Sequence, residues 1–333
     1  MSYRVAVVGA TGAVGTVMRA KLRERSFPAS EIVPFASERS AGRELDGAIV
    51  QPLSEDTIQG FDLAIFSAGG ATSGEWAPRF VDAGAVVVDN SSKWRRDPEV
   101  PLVVAEVNPD ALEDHRGLIA NPNCSTMQLM VALKPIHDAA GIERLIVSTY
   151  QSVSGTGVKA VEELEAQTRA ALDGQPLPAP QVYPHPVAFN VLGGAGNFVD
   201  DHTDEERKMM FETRKILGDE SIAINVTCAR VPVRNCHSES VTLQTREPLE
   251  VEEARELLSA MPGLTMVEPY PTALSSAGRD DVFVGRLRRD PSHERGLCLW
   301  VVSDNLLKGA ATNAIQIAEV LHERNLVRVP TRV

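Results

Sequence analysis

The chain has 333 residues, and its 33 Lys and Arg against 45 Asp and Glu give a formal net charge of -12. This length predicts about two domains, and contents of 43% hydrophobic and 23% charged residues exclude a largely disordered chain. Net acidity argues against nucleic acid as a partner, because a nucleic-acid surface needs clustered Lys and Arg. No apolar run approaches the ~18 residues of a membrane helix and no basic leader precedes the first strand, so we expect a cytoplasmic protein with no membrane partner.

Four widely spaced cysteines, with no C-x-x-C pair, indicate reduced thiols rather than a disulfide framework. They are Cys124, Cys228, Cys236 and Cys298. Cys236 lies next to His237, but no second pair at ligand spacing follows, so we expect no metal site.

The first third of the chain alternates short apolar runs with helical stretches. The runs are continuous rather than alternating, which indicates strands buried on both faces of a parallel sheet. The predicted strands are residues 4–8, 31–36, 63–67, 85–89, 102–105 and 117–120, with a first helix at 15–25. The pattern predicts a Rossmann-like, doubly wound α/β domain.

After a predicted helix at residues 125–141, the apolar pattern becomes more nearly period-2. Residues 144–152, 222–234 and 239–246 read as strands of a mostly antiparallel sheet with one covered face, and residues 204–217 as a helix. Residues 173–197 are rich in Pro and Gly, which predicts a long ordered loop or arm. A second domain of α+β type accounts for these segments.

A glycine-rich turn joins the first strand to the first helix, with the sequence Gly9-Ala10-Thr11-Gly12-Ala13-Val14-Gly15. Glycines let backbone N–H groups approach a phosphate, and the helix N-terminus adds partial positive charge. We therefore predict dinucleotide contacts at Gly9, Thr11, Gly12, Ala13 and Val14. The spacing is looser than G-x-G-x-x-G, and a tight turn that needs glycine for backbone reasons is the alternative.

The end of the second strand selects the form of the cofactor. Where an NAD-binding protein usually carries an acidic residue for the ribose, Ser37, Arg39 and Ser40 can surround a 2'-phosphate, which favours NADP. Glu38 is an acidic residue at the same place, so NAD remains an alternative cofactor, and a solvated turn that binds no cofactor is the other alternative.

Cys124 lies where a predicted strand ends and a helix begins. The first turn of a helix stabilises a thiolate, and the carboxyl edge of a parallel sheet is where ligands bind. A thiolate beside a nicotinamide can add to an aldehyde, and the resulting thiohemiacetal gives up hydride to leave a thioester that water or phosphate then takes. The alternative is a small buried apolar residue.

Seven segments together resemble the aspartate-semialdehyde dehydrogenases over nearly the whole chain. They are residues 9–15, 89–92, 121–126, 151–157, 230–233, 236–239 and 302–311. The resemblance implies reversible, NADP-dependent reductive dephosphorylation of L-aspartyl 4-phosphate to L-aspartate 4-semialdehyde, on the route to lysine, methionine and threonine. It also implies a discontinuous NADP-binding domain of residues 1–124 and 312–333, a catalytic and dimerisation domain of residues 125–311, and a homodimer, with a tetramer left open.

The resemblance also implies a role for individual residues. Cys124 matches the nucleophile, His237 the general acid/base, Gln151 the residue that orients the acyl intermediate and Arg230 the clamp on the substrate carboxylate. Further matches are Arg95 for phosphate, Glu205 and Lys208 for substrate and phosphate, and Ser154, Gly155 and Asn305 for cofactor.

The residues themselves leave alternatives to several of these roles. Arg230 lies in an apolar run and needs an anion, which an internal ion pair could also supply. Arg95 is half of an Arg doublet that a solvated turn explains equally well, and Glu205 with Lys208 at i, i+3 can be a surface ion pair. The odd spacing of positions 230 and 237 predicts an irregular segment between them.

Two rival functions remain. N-acetyl-γ-glutamyl-phosphate reductase shares the chemistry, but its nucleophile motif resembles Asn-Pro-Gly-Cys-Tyr, whereas this chain has Asn-Pro-Asn-Cys-Ser at residues 121–125. A non-catalytic paralogue acting as a binding protein would be expected to lack Cys124 or His237, and both are present.

Overall fold

The computed structural model describes residues 2–328, so residues 1 and 329–333 of the predicted first domain lie outside the described residues. The chain divides into two compact units, one formed by residues up to 123 and from 310 onward, the other by residues 124–309. These limits differ slightly from the predicted ones. Cys124 falls in the second unit because it is the first residue of a helix of that unit, and the first unit resumes two residues earlier than expected, at Ala310.

The elements follow one another as two groups and a final helix. The first group is β1 Tyr3–Val8, α1 Ala13–Glu24, β2 Ala29–Phe35, β3 Glu44–Leu45, β4 Ala48–Ile49, β5 Leu63–Phe66, α2 Gly70–Asp82, β6 Val86–Asp89 and β7 Leu118–Ala120. The second is α3 Cys124–Ala140, β8 Ile142–Gln151, α4 Val158–Leu172, β9 Phe198–Val199, β10 His202–Thr203, α5 Asp204–Leu217, β11 Ala223–Arg230, β12 His237–Thr245, α6 Val251–Ala260, β13 Leu264–Met266, α7 Ala273–Ser276, β14 Val282–Arg289 and β15 Gly296–Ser303. The final helix is α8 Thr312–Glu323.

The first unit is built on a parallel sheet of order β2-β1-β5-β6-β7. Every residue of β5, β6 and β7 is buried, as their continuous apolar runs predict. Apolar side chains of α1 and α8 pack into the same core as those of the sheet. The Rossmann-like prediction is confirmed.

The strand order places a ligand crevice in this unit. β1 has β2 on one side and β5 on the other, so the order reverses between β1 and β5. Ligands of open α/β sheets bind at the carboxyl ends of the strands at such a point. The glycine-rich turn follows β1 and therefore lies at this position.

One predicted strand of the first unit is reduced to a single bridge. Residues 102–105 were expected to pair as a strand, but only Leu102 bridges to Ala120. β7 ends at Ala120, and the N–H groups of Val104 and Ala105 donate instead to the side-chain oxygens of Asn108 and Asn313, so the ladder does not extend further.

The second unit is built on a mixed sheet of order β11-β8-β12-β15-β14-β13. The three inner pairings are antiparallel, whereas β11 with β8 and β13 with β14 are parallel. Helices α3, α5 and α6 pack on the sheet, and Tyr150 and Trp300 stay partly exposed. The α+β prediction is confirmed, with parallel pairs at both edges.

Two local features position side chains at one end of this sheet. A capping box between Thr203 and Glu206 starts α5, and Gly218 in the left-handed region ends it, so its bounds are those the sequence predicts. β11 ends at Arg230 and β12 begins at His237, which confirms the irregular segment between them.

The arm at residues 173–197 has no helix or strand and is held by α4. The Glu163 carboxylate accepts hydrogen bonds from the backbone N–H groups of Gln181 and Val182. One turn later, Gln167 accepts from the N–H groups of Val187 and Ala188. These side-chain acceptors, together with backbone hydrogen bonds between Leu192 and Arg230 of β11, order the arm.

Within residues 2–328, no helix combines the length and apolar content needed to cross a membrane.

Candidate active site

The glycine-rich turn combines close packing with an open helix start. A Cβ at Gly9 would collide with the Ser67 carbonyl, and φ at Gly9 is 85°, so glycine is required there. A Cβ at Gly15 would collide with the Gly9 carbonyl. Gly12 is exposed and is the N-cap residue of α1, where no side chain forms a capping hydrogen bond. The tight-turn interpretation therefore holds at Gly9 and Gly15, and the dinucleotide contact at Gly12 stays a prediction.

The other predicted cofactor positions of the first unit lie on the surface. Thr11 is exposed, and Ala13 and Val14 at the start of α1 are half-buried. Residues 38–40 form a 3-10 turn in which Ser37 and Arg39 are exposed and Ser40 is half-buried. In the described part of the chain, Arg39 forms no ion pair, so its guanidinium is available to an anion.

The structure separates the two arginines of the doublet after β6. Arg95 is 7% exposed and donates from Nη2 to the carbonyl oxygen of Asn90 at 2.9 Å, whereas Arg96 is exposed. The solvated-turn alternative therefore fits Arg96 and not Arg95. Burial raises the pKa of the nearby Asp89 carboxyl, although hydrogen bonds from Ser91 and Ser73 and the charge of Arg95 oppose this.

Cys124 is the first residue of α3 and is half-buried. The helix N-terminus stabilises negative charge on its sulfur. The backbone of Gly309 lies against it, since a Cβ added there would be 3.0 Å from Cys124 Cβ. None of the four cysteines forms a disulfide.

Gln151 ends β8 and connects two helices. Its Nε2 donates to Ser125 Oγ at 3.0 Å, beside the nucleophile candidate, and to Glu205 Oε1 at 3.4 Å. Glu205 in turn lies 3.2 Å from Lys208 Nζ. Burial acts to lower the pKa of Lys208, but the Glu205 and Asp204 carboxylates outweigh it and the net shift is upward. The pair is therefore more than a surface ion pair, because it reaches Gln151.

Arg230 ends β11 with its guanidinium buried and 7% exposed. Its Nη1 donates to the Ser152 carbonyl at 2.6 Å, and its Nε has no hydrogen-bond partner in the described part of the chain. No carboxylate among residues 2–328 forms an ion pair with it. The internal ion pair left open by the sequence is therefore absent there, and the ring of Tyr183 lies 5.8 Å from the guanidinium carbon.

His237 begins β12 and is completely buried. The backbone N–H of Ser152 donates to Nδ1 at 3.0 Å, so the neutral imidazole carries its proton on Nε2. Nε2 has no partner among residues 2–328. Burial, with the nearby positive charge of Arg230, lowers the pKa of His237 to about 3. The side chain therefore presents a neutral N–H donor.

Three residues predicted to contact cofactor surround this histidine. Gly155 is exposed, and a Cβ there would be 3.2 Å from His237 Nε2. Ser154 and Asn305 are buried and bonded to each other, with Asn305 Nδ2 donating to Ser154 Oγ at 2.9 Å. The two polar side chains thus belong to an internal network, and the backbone of Gly155 packs against the buried imidazole because glycine has no Cβ.

Comparisons with known proteins identify the family. The family model described as Semialdehyde dehydrogenase, NAD binding domain, matches residues 4–115, and Semialdehyde dehydrogenase, dimerisation domain, matches residues 133–308. A curated aspartate-semialdehyde dehydrogenase from Aquifex aeolicus is 52% identical over 98% of this chain and 100% of its own length. The chain belongs to the aspartate-semialdehyde dehydrogenase family. The resemblance drawn from the sequence is confirmed.

Solved structures of aspartate semialdehyde dehydrogenases share the fold. That of aspartate semialdehyde dehydrogenase II from Vibrio cholerae complexed with ASA is 46% identical, with a TM-score of 0.93 and coverage of 97% of this chain and 99% of that chain. The enzyme with NADP from Candida albicans is 25% identical, with a TM-score of 0.76 and coverage of 98% and 100%.

The second unit brings together most of the residues that the family resemblance singles out. Hydrogen bonds or close contacts connect Gln151 with Glu205 and Lys208, and Arg230 and His237 with Ser152 and Gly155. Arg95 and the dinucleotide positions lie in the first unit. Among residues 2–328, no group of three or more His, Cys, Asp and Glu side chains could hold a metal ion.

Sequence reasoning missed the residue at the centre of this arrangement. Ser152 donates its N–H to His237 and accepts from Arg230 through its carbonyl. Both interactions use backbone atoms, which any residue type supplies, so no sequence signal marks the position. Gly309 was quoted within a motif, but its close approach to Cys124 shows only in three dimensions.

Proposed function

We propose that this chain catalyses the reversible, NADPH-dependent conversion of L-aspartyl 4-phosphate to L-aspartate 4-semialdehyde and inorganic phosphate. The main support is the Arg230 guanidinium, which is buried and has no carboxylate partner among residues 2–328. It lies in the same unit as Cys124 and His237. The α-carboxylate of the substrate can accept two parallel hydrogen bonds from this guanidinium. Family membership supports the reaction class.

The nucleophile of the reaction is the Cys124 thiolate at the start of α3. Its sulfur attacks the acyl carbon of the aspartyl phosphate, and the bond from carbon to the phosphate oxygen breaks, which leaves a thioester. Bound NADPH supplies the hydride that reduces this carbon. The carbon–sulfur bond then breaks to release the aldehyde and regenerate the thiolate. Gln151, anchored by Ser125 and Glu205, orients the acyl group.

His237 supports both tetrahedral stages through Nε2. Each stage carries an oxyanion that collapses by expelling phosphate or the Cys124 thiolate, so the chain needs a donor at that oxygen. The Ser152 N–H holds the imidazole in the tautomer with Nε2–H. This geometry supports the donor half of the acid/base role that the family resemblance implies.

Two cationic side chains, Lys208 and Arg95, are each candidates for binding the phosphate group. Lys208 carries a full positive charge beside Glu205, and Arg95 is a buried guanidinium on the loop after β6. Each suits an anion. Lys208→Ala and Arg95→Ala should raise KM for phosphate in the oxidative direction more than KM for the semialdehyde.

NADP is assigned to the glycine-rich turn and to Ser37, Arg39 and Ser40. The turn offers the uncapped N-terminus of α1, and Arg39 is exposed. Arg39→Ala should lower the NADP-over-NAD ratio of kcat/KM at least tenfold, and an unchanged ratio would reject the assignment. Ser154, Gly155 and Asn305 lie in the second unit, where Gly155 is the exposed member.

A homodimer is assigned to the second unit. The uncovered sheet face holds a depression of about 400 Å³ lined by residues such as Tyr150, Trp300 and Tyr270. Aromatic residues at the centre of such a face favour a second copy of the chain. Tyr150→Asp should lower the mass measured by light scattering from that of a dimer to that of a monomer; an unchanged mass would place the interface elsewhere.

One assay distinguishes the proposed reaction from its rivals. Phosphate-dependent NADPH formation is measured with aspartate semialdehyde and with N-acetylglutamate semialdehyde, and NAD replaces NADP in a control. We expect turnover with aspartate semialdehyde that requires phosphate. A preference for the acetylated substrate would identify the reductase rival, and no turnover with either would favour a binding protein.

A further inference from the structure

A buried polar layer lies directly behind His237 in the sheet of the second unit. Glu239 is two residues after His237 on β12, and because side chains alternate along a strand the two point to the same face. Glu239 is paired with Thr149 on β8, which is paired in turn with Cys228 on β11. Glu239, Thr149 and Cys228 are each exposed by 1% or less, and the proposed reaction uses none of them.

Gln128 faces this layer from α3. It is completely buried and lies four residues, or about one helical turn, after Cys124. Its Nε2 donates to the backbone carbonyl oxygen of His237 at 3.4 Å, and its side chain forms a hydrogen bond with Glu239. Gln128 therefore connects the helix that begins with Cys124 to the strand that begins with His237.

The hydrogen-bonding groups of this pair are all satisfied only if Glu239 is un-ionised. Gln128 Oε1 is buried and has no hydrogen-bond partner in the described part of the chain, and an ionised carboxylate has no proton to donate to it. A neutral carboxyl group donates its O–H to an amide oxygen and accepts an amide N–H in return. This arrangement leaves the second N–H of Gln128 for the carbonyl oxygen of His237.

The surroundings of Glu239 also favour the neutral acid. Its neighbours on the two flanking strands, Thr149 of β8 and Val301 of β15, carry no charge. No Lys or Arg among residues 2–328 forms an ion pair with Glu239, and burial raises its pKa well above 4.5. Burial also raises the pKa of the Cys228 thiol, so that side chain is neutral too. The remaining titratable groups on β12, β11, α3 and α5 near this layer are His237, Arg230, Cys124, Glu205, Glu206 and Lys208.

We propose that Glu239 is a positioning residue, which as a neutral acid pairs with Gln128 and so fixes the start of α3 relative to the start of β12. The two residues that this pair places are Cys124 and His237, and small errors in the placement of reacting groups are costly. The proposal rests on the proposed function, because turnover is one of its readouts.

The kinetic test compares two substitutions of Glu239. Glu239→Met keeps an unbranched side chain but cannot pair with Gln128, and we expect kcat to fall on the order of 10-fold. KM for aspartate semialdehyde and for phosphate should stay within about twofold, because no substrate contact is lost. Glu239→Gln is the matched control, since a neutral amide can form the same two hydrogen bonds. It should keep kcat within about threefold of wild type.

A double variant tests whether Glu239 acts through Gln128. Gln128→Met should lower kcat at least as much as Glu239→Met, because it removes the bond to His237 as well. Adding Glu239→Met to Gln128→Met should lower kcat by no more than about a further twofold, because residues that act as one unit are not additive.

A readout without turnover separates this proposal from the proposed function. The unliganded chain is labelled with 13C at the glutamate δ-carbon and studied by NMR near neutral pH. One δ-carbon should show the chemical shift of an un-ionised carboxyl group, and this signal should be absent from Glu239→Gln. If the wild type turned over neither semialdehyde, the proposed function would fail while this result could still stand.

Three outcomes would overturn the positioning role. The first is an NMR spectrum in which Glu239→Gln removes only the signal of an ionised carboxylate. The second is a loss of kcat in Glu239→Gln as deep as that in Glu239→Met. The third is a double variant whose losses multiply, which would show that Glu239 and Gln128 act independently. The first two outcomes rest on the conservative glutamine variant, and the NMR comparison decides the matter even if the methionine variant does not fold.

Discussion

Replacing Arg230 by methionine should remove recognition of the substrate α-carboxylate while leaving the chemistry of Cys124 intact. Methionine fills a similar volume with an unbranched apolar side chain, so packing around the site should change little. The guanidinium is 7% exposed and forms one hydrogen bond, to the Ser152 carbonyl, among residues 2–328. Its remaining N–H groups are therefore available to a ligand.

The magnitude follows from those available groups. A hydrogen bond to a charged group contributes about 1.5–3 kcal/mol, so a bidentate carboxylate gains about 3–6 kcal/mol before its own loss of hydration. If desolvation removes about a third, some 2–4 kcal/mol remains, and at 1.4 kcal/mol per tenfold this corresponds to a loss of about 30-fold to 700-fold in kcat/KM. Arg230→Lys should recover only part of it, because an ammonium lacks the planar fork.

The assay compares two aldehydes at saturating phosphate and NADP. Aspartate semialdehyde carries the α-carboxylate, and 3-aminopropanal is the same aldehyde without it. We expect Arg230→Met to lower kcat/KM for aspartate semialdehyde strongly and for 3-aminopropanal by less than about threefold, since that substrate makes no contact to lose. An equal loss for both aldehydes would show that Arg230 acts on something other than the carboxylate and would refute the reasoning.

Three further predictions concern residues around the site. The Glu239 carboxylate is completely buried, and burial raises the pKa of Glu239 well above 4.5, although a hydrogen bond with Gln128 opposes this. A buried acid whose pKa is higher in the folded than in the unfolded chain destabilises the fold once the pH rises above the unfolded-state pKa. Glu239→Gln should therefore raise the free energy of unfolding by about 1–3 kcal/mol at pH 8 and by little at pH 4, as measured by urea denaturation. Equal effects at both pH values would contradict this. Gly309→Ala brings a Cβ to 3.0 Å from Cys124 Cβ and should lower kcat at least about tenfold with NADP affinity unchanged, so a fully active variant would count against the contact. Tyr183→Leu should raise KM for aspartate semialdehyde about twofold to fivefold by removing the ring near Arg230, whereas Tyr183→Phe, which keeps the ring, should not; identical KM values for the two variants would exclude a cation–π contribution.

Most helices and strands of the fold could be predicted from the sequence. Continuous apolar runs mark strands buried on both faces, and the capping residues around α5 mark both of its ends, so these elements follow from local rules. Residues 102–105 show the limit of such rules. Their composition suits a strand, but pairing depends on where β7 ends and on the side chains of Asn108 and Asn313, which accept from this segment.

The candidate site divides in the same way. Cys124, His237 and Arg230 have side chains with distinctive chemistry, so the sequence could single them out as candidates, and the family resemblance supplied the roles predicted for them. Ser152 acts through its backbone atoms, and that property is not encoded in residue type. The hydrogen bonds of Asn305 with Ser152 and Ser154 could not be predicted from the sequence, because they join positions about 150 residues apart. Contacts of this kind come from tertiary structure alone.

The central claim is a thioester on Cys124, and intact-protein mass spectrometry of the acylated enzyme tests it most directly. The chain is mixed with L-aspartyl 4-phosphate in the absence of NADPH, quenched in acid and compared with Cys124→Ser treated identically. We expect the wild type to gain the mass of one aspartyl group, removable by hydroxylamine and by added NADPH, and the serine variant to gain none. An aspartyl group on another residue, or an unmodified Cys124 in an enzyme that turns over normally, would contradict the account.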